Sequence, residues 1–352
     1  MTPNYCLIIP CRDEEEYAER TLRAIVNQSL LPAKVLIVDD GSTDRTPAIL
    51  KQFEKRFPFI RVITRQDRGE RQVGPGVVDA FYAGYDSIDP DQYKYICKLD
   101  LDLDLPRVYF QRLIEKMESN PRIGTCSGKP FFPASRNRTK SFEGELVSEG
   151  CGDEMSVGMA KLYRTVCFQE IGGFVREVMW DGIDCHRCRM KGWLAESYDD
   201  PEIRFLHLRA MGSSQHGILT GRFRHGFGQY FMGTGWTYMM ASAISRMKQR
   251  PRVFGGAAMA WGYMASWLRQ KPRYQDAEFR RFLRQFQRAC LWKGKRTATQ
   301  LLNAKMESQW RYNNGQPSRL DPPESMRGPR FETTSTGLHP RPVEAAVAEE
   351  SR

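Results

Sequence analysis

The stretch Tyr95-Ile-Cys-Lys-Leu-Asp-Leu-Asp-Leu-Asp-Leu-Pro106 alternates strictly from Leu99 onward, with Leu99, Leu101, Leu103 and Leu105 in one register and Asp100, Asp102 and Asp104 in the other. A strand has a side-chain period of two, so an extended backbone buries the leucines on one face and sets three carboxylates on the other. Neighbouring carboxylates about 6 to 7 Å apart repel by roughly 2 to 3 kcal/mol per pair at an effective dielectric of about 20. A divalent cation turns that cost into binding energy. Oxygen donors of this kind suit Mg²⁺ or Mn²⁺, held by one or two carboxylates plus substrate phosphates. A solvated strand edge is the alternative that the pattern by itself leaves open.

Upstream, the chain repeats a strand–turn–helix unit. Tyr5-Cys-Leu-Ile-Ile-Pro10 reads as a strand, and Asp13-Glu-Glu-Glu16 opens a helix running to Gln28, with its acids in the first turn. Lys34-Val-Leu-Ile-Val-Asp39 is a second strand, Asp40-Gly-Ser-Thr-Asp44 a turn, and a helix follows to about Phe57. Ile60 to Thr64 is a third strand, Val77 to Ser87 a helix, and Tyr95 to Leu99 a fourth strand. This alternation predicts an α/β fold with a mainly parallel sheet flanked by helices. Ligands of such sheets sit at the carboxyl ends of the strands, here Pro10 to Glu14, Asp39 to Ser42 and Asp100 to Asp104. Three acidic segments thus share one rim with Arg12, Arg65, Arg68, Arg71 and Lys98. No Gly-x-Gly-x-x-Gly follows the first strand and no Gly-x-x-x-x-Gly-Lys-Ser/Thr occurs, which argues against a dinucleotide-binding domain or a P-loop.

A charged fraction of 27% with 41% apolar residues marks a folded, water-compatible chain, and the net charge of +11 asks for an anionic partner. The nine cysteines are odd in number and scattered, as expected of reduced thiols, and the first residues have no signal-peptide pattern.

Ile8-Ile-Pro-Cys-Arg-Asp-Glu-Glu15, Ile37-Val-Asp-Asp-Gly-Ser-Thr-Asp44 and Lys98-Leu-Asp-Leu-Asp102, in that order and spacing, resemble glycosyltransferase family 2 over roughly the first 210 residues. The resemblance implies a GT-A fold and inverting transfer of a sugar from a nucleoside diphosphate donor, often UDP-linked, with Mg²⁺ or Mn²⁺. Carried over by position, Pro10, Arg12, Glu14, Asp40, Gly41, Lys98 and Asp100 would bind the nucleotide. Asp100 and Asp102 would form the Asp-x-Asp pair, with Asp100, Asp102 and His207 as the metal set and Asp104 outside it. Asp13 stands where the family usually has Asn. Downstream, Lys129 to Gly152 reads as an acceptor-side or lid loop. After Ile171-Gly-Gly-Phe174 the family places a Glu-Asp pair whose Asp is the general base. Counting back from Gly192 and Arg187 sets Asp181 on the base and Trp180 on the Glu, with Asp184 as rival. A base is required because an acceptor hydroxyl is a poor nucleophile until its proton is removed. Trp180 either stacks on an acceptor sugar or packs in the core. Cys185-His-Arg-Cys188 falls short of the four ligands a zinc site needs.

Residues 226–245 and 253–268 carry no charge and are flanked by arginines, and Arg273 to Arg288 is a basic amphipathic helix. These read as helices lying in a membrane interface. The expected division is 1–215 for the catalytic domain (nucleotide-sugar half 1–128, acceptor half 129–215), 216–295 for a helical membrane-associated region and 310–352 for a disordered tail. The combined expectation is a peripheral glycosyltransferase on the cytoplasmic face of the inner membrane. It would use a nucleoside diphosphate sugar, a glycan or lipid-linked acceptor and an anionic membrane surface, with no nucleic-acid partner. A nucleotidyltransferase and a non-catalytic basic membrane-binding adaptor are the rivals.

Overall fold

The computed structural model describes residues 4–69, 74–133, 146–209, 217–248 and 252–313. Strand β1 (Tyr5–Cys11) is buried at every position, lying between the parallel strands β2 (Lys34–Asp39) and β4 (Tyr95–Leu99), with β3 (Ile60–Thr64) beyond β2. Tyr5, Leu7 and Ile9 face one core with helices α1 (Ala18–Val26), α2 (Thr46–Arg56) and α4 (Tyr109–Ser119). Cys6 and Ile8 face a second core with α3 (Pro75–Tyr85), α5 (Thr165–Glu170) and α6 (Trp180–Met190). Both faces are covered, which is why these strands read as unbroken apolar runs.

The sheet continues through β9 (Ala160–Arg164), β6 (Ile123–Gly128) and β10 (Leu194–Tyr198), in the order β10–β6–β9–β4–β1–β2–β3. Strand β9 runs antiparallel to both of its neighbours, the one reversal in an otherwise parallel sheet.

The alternating aspartate stretch is not one strand. After Leu99 the backbone bends, and β5 (Leu103–Asp104) joins a second sheet with β11 (Phe205–His207), β7 (Pro130–Pro133) and β8 (Leu146–Ser148). The buried Thr21 hydroxyl holds the bend, donating to Leu101 O (2.9 Å) and accepting from Leu103 N (3.0 Å), so the backbone groups that leave the first sheet stay paired. All four leucines are buried, as the period required; the carboxylates follow two sheets rather than one face.

Helices α7 (Gly217–Met232), α8 (Trp236–Met247), α9 (Phe254–Leu268), α10 (Ala277–Lys293), α11 (Lys295–Lys305) and α12 (Glu307–Asn313) follow. Helices α7 and α9 touch backbone to backbone: a Cβ on Gly226 would lie 2.0 Å from Met259 O, and one on Gly262 would lie 2.1 Å from Phe223 O. Asp276 caps α10 by accepting from Phe279 N at 2.8 Å. Residues 310–313, expected to open a tail, are helical instead, and α12 packs Trp310 against Trp193 with ring centroids 5.6 Å apart. Residues 314–352 of that tail, and 134–145 of the expected lid loop, lie outside the described residues. Among the described residues no helix is long and apolar enough to cross a membrane.

Candidate active site

The loops after β1 and β2 are stitched together at the carboxyl rim. Asp13, at φ 51°, accepts from Thr43 N (2.8 Å) and donates its own N–H to Ser42 Oγ (2.9 Å), and Glu14 N donates to Thr46 Oγ1 (2.7 Å). Asp39 turns the second loop by accepting from Ser42 N at 2.9 Å. Pro10 lies in β1, and Arg12, nearly buried, donates to Asp40 O (2.7 Å) and to Asp67 (2.6 Å). The Asp40 carboxylate is held by Arg65 at 2.7 Å and by Arg68. Gly41 adopts φ +76°, and a Cβ there would meet the Asp67 backbone at 2.4 Å. That position requires glycine on both counts. Pro10, Arg12, Glu14, Asp40, Gly41 and Asp100 therefore do share one rim. Arg71 lies outside the described residues.

Two expected roles need correction. Lys98 is 3% exposed and its ammonium is occupied by Asp100 and Gly158 O (3.1 Å), so it is a buried counter-ion rather than an open phosphate ligand. The metal set of three is not assembled either. Among the described residues no three His, Cys, Asp or Glu side chains converge to hold a metal ion. Asp102 and His207 do meet, with Oδ2 and Nε2 3.3 Å apart, while Asp100 is turned to Lys98. Asp104 is paired outward with Arg20 at 2.5 Å.

Asp102 lies at the bend between the two sheets and its side chain is buried. Burial works against its charge, but hydrogen bonding to His207 and the Arg209 charge hold it well below the usual carboxylate range. His207 Nδ1 meets Glu149 at 2.9 Å; burial pulls its pKa down, yet the contacts with Asp102 and Glu149 raise it to about 9. Arg209 bridges Asp102 Oδ2 (2.5 Å) and Glu14 (2.6 Å). Asp102 Oδ1 is buried with no hydrogen-bond partner. A hard cation fits that oxygen, and His207 becomes a nitrogen donor beside it once it gives up the proton that Asp102 and Glu149 favour, so Asp102 and His207 are the two side chains that would suit Mg²⁺ or Mn²⁺ here.

On the acceptor side, the two base candidates separate. Asp181 sits in the first turn of α6, half-buried, and a Cβ on Gly158 would lie 2.8 Å from its Oδ2. Gly158 O is the same carbonyl that Lys98 holds, which sets Asp181 across one backbone segment from the Asp100–Lys98 pair. Asp184 is fully buried, with Lys161 Nζ at 2.6 and 2.7 Å and the Tyr163 hydroxyl on Oδ2. It faces the core and not the rim. Burial opposes the Lys161 charge, but the surrounding acids hold its pKa above the usual lysine range. Trp180 is 8% exposed, packed on Phe174 (4.5 Å between centroids) with the ammonium groups of Lys98 and Lys161 at 5.1 and 5.7 Å from its ring. Of the two readings of Trp180, the core packing is the one adopted, and no face is presented to a sugar. In the Cys-x-x-Cys helix, Cys185 lies 3.3 Å from Lys161 Nζ, Cys188 lies 3.6 Å from Cys167, and His186 stacks on Phe279 and Phe286, so the three do not converge.

Arg209, Glu149 and Asp67 escaped the sequence reading. Arg209 follows His207 by two residues and was within reach of the same argument, whereas Glu149 and Asp67 arrive from loops that carry no motif.

Residues 6–176 match the family model for glycosyl transferase family 2. A poly-beta-1,6-N-acetyl-D-glucosamine synthase from Staphylococcus epidermidis is 27% identical over 123 residues, which is 35% of this chain and 27% of that protein. An uncharacterised glycosyltransferase of Bacillus subtilis is 28% identical over 123 residues, 34% of this chain and 32% of its own length. The chain thus spans about a third or less of the length of these relatives. The structure of GalNAc-T7 with UDP, GalNAc and Mn²⁺ aligns with a TM-score of 0.50 at 12% identity, covering 78% of this chain and 59% of that one. The architecture is that of the GT-A glycosyltransferases, and residues 6–176, just under half of the chain, are similar to glycosyl transferase family 2.

Proposed function

We propose that the protein transfers a sugar from a nucleoside diphosphate donor, with UDP the expected nucleotide, to a glycan or lipid-linked acceptor with inversion at the anomeric carbon. The observation that carries this reading is the juxtaposition over Gly158: the half-buried Asp181 carboxylate on one side and the Asp100–Lys98 pair on the other. Asp40, fixed by Arg65 and Arg68, offers acceptors for base or ribose groups, and Arg12 and Gly41 shape the rim around it. Asp181 takes the proton from the acceptor hydroxyl as it attacks from the face opposite the leaving diphosphate. Asp102 and His207 would hold Mg²⁺ or Mn²⁺, which when bound supplies positive charge to the departing diphosphate. The manganese in the GalNAc-T7 structure is in keeping with that assignment. Arg209, already neutralising Asp102 and Glu14, contributes fixed positive charge in the same place. The relatives that make poly-N-acetylglucosamine favour a polysaccharide acceptor, and the basic helices after residue 217 favour work at the cytoplasmic face of a membrane.

Thermal unfolding with UDP and GDP, each with and without Mn²⁺, tests the donor half: stabilisation by nucleotide and metal together should exceed the sum of the two alone. Asp102→Ala should abolish that excess. Asp181→Asn should lower sugar transfer about 10²- to 10⁴-fold while leaving the joint nucleotide and metal stabilisation unchanged. Transfer that survives Asp181→Asn sinks the base assignment.

A further inference from the structure

Helix α10 gathers Arg280, Arg284 and Arg288 at four-residue spacing, with Arg281 beside them and Arg273 from the preceding loop, around a cleft of about 420 Å³. Like charges at this spacing repel along a helix. Among the described residues none of the five guanidinium groups is ion-paired to a carboxylate, and the nearby Asp276 is engaged at the helix cap. Arg273 Nε is buried and without a hydrogen-bond partner. Among the described residues the five cations therefore have no carboxylate within ion-pair distance.

Arg273, Arg284 and Arg288 also border a second cavity, of about 630 Å³, between α8, α9 and α10. Its other walls are mainly apolar, with Trp236, Tyr263, Met264, Trp267 and Leu291, and carry the polar Thr234, Thr237 and Gln287 as well. Trp236 and Trp267 stand 49% and 57% exposed, which wastes apolar area unless something covers them. The two cavities form one groove, cationic at one end and aromatic at the other. The Arg280 stem packs against Gly233, just after the buried Met232 at the end of α7.

We propose that this groove binds a lipid carrying a phosphate or diphosphate head, the head between the arginines and the apolar chain along Trp236, Tyr263 and Trp267. Guanidinium groups pair bidentately with phosphate oxygens, and a concave apolar slot of this volume takes one lipid molecule rather than a flat bilayer surface. The inference rests on the acceptor half of the transferase reading and gives that acceptor its chemistry.

The test is calorimetric titration of the full chain with farnesyl diphosphate, a short soluble lipid diphosphate, beside farnesol, inorganic diphosphate and UDP with Mn²⁺. Farnesyl diphosphate should bind at least tenfold more tightly than farnesol or inorganic diphosphate and should not compete with UDP and Mn²⁺. Arg284→Ser with Arg288→Ser should weaken it at least tenfold, and Trp267→Ala several-fold, with UDP binding unchanged. Trp267 is more than half exposed, so that variant carries the decision if the double arginine variant unfolds. Equal affinity in the variants, equal binding of inorganic diphosphate, or binding only to anionic vesicles irrespective of the variants overturns the proposal. Failure of UDP to bind the unaltered protein would count against the donor site alone, leaving the lipid titration to be judged by itself.

Discussion

Replacing Lys161 with methionine would leave Asp184 buried without its ammonium partner, since the two side chains are 0% and 1% exposed and share two short contacts. Breaking a buried pair from one side costs about 3 to 5 kcal/mol, whereas replacing both partners with apolar residues is often close to neutral. Lys161→Met should therefore lower the thermal midpoint by several degrees, and adding Asp184→Leu should restore part of it; a change under about 1 kcal/mol in chemical denaturation would show the pair to be incidental. His207 supplies a pH-dependent counterpart. Its folded pKa of about 9 lies above the ordinary value near 6.5, so its protonation stabilises the fold fully below about 6.5 and that contribution is lost as the pH rises through 9. A metal ligand must be the neutral imidazole, so the sign reverses for Mn²⁺: its affinity should tighten by about tenfold per pH unit from 7 toward 9 and then level off. A calorimetric affinity that stays flat across that range would remove His207 from the metal site.

At the scale of elements, Gly226 and Gly262 allow α7 and α9 to meet at their backbones. Gly262→Ala would drive a methyl into Phe223 O and should cost about 1 to 3 kcal/mol in thermal or denaturant unfolding, while Gly235→Ala, whose nearest neighbour is Gln287 at 3.8 Å, should be nearly silent. Equal effects of the two would mean the helices separate freely. The strand–helix order of the first half was legible because each buried strand is a short apolar run ended by a turn, and Asp39 to Asp44 and Asp100 to Asp102 marked the rim. The bend after Leu99 was not legible, because its cause is Thr21, some 80 residues away, and alternation looks the same on one strand or two. The burial of Lys98 was hidden, and the choice between the two readings of Trp180 left open, for a related reason: their surroundings depend on Gly158 and Phe174, which no spacing rule connects to them. Trp310 looked like the start of a polar tail because its partner, Trp193, lies far back in the chain, in the turn between α6 and β10.

The net charge of +11 is partly explained at the scale of the whole molecule by α10, whose arginines gather on one groove. Asp100 directly follows β4 of the first sheet, Glu149 directly follows β8 of the second, and Asp102 lies at the bend where the two sheets join. Leu208 N donates to Asp102 O at 2.9 Å, His207 pairs with Leu103 across β11 and β5, and Glu149, just after β8, reaches His207. Any shift of the second sheet must re-aim the Asp102 side chain. A ligand that moves one side of the bend should therefore change affinity on the other, and thermodynamic reciprocity would make the effect equal in both directions: an acceptor that tightens donor binding tenfold would itself be tightened tenfold by the donor. The small β5–β11–β7–β8 sheet is thus tied to the first through one side chain, and any such coupling should come out the same whichever ligand is added first.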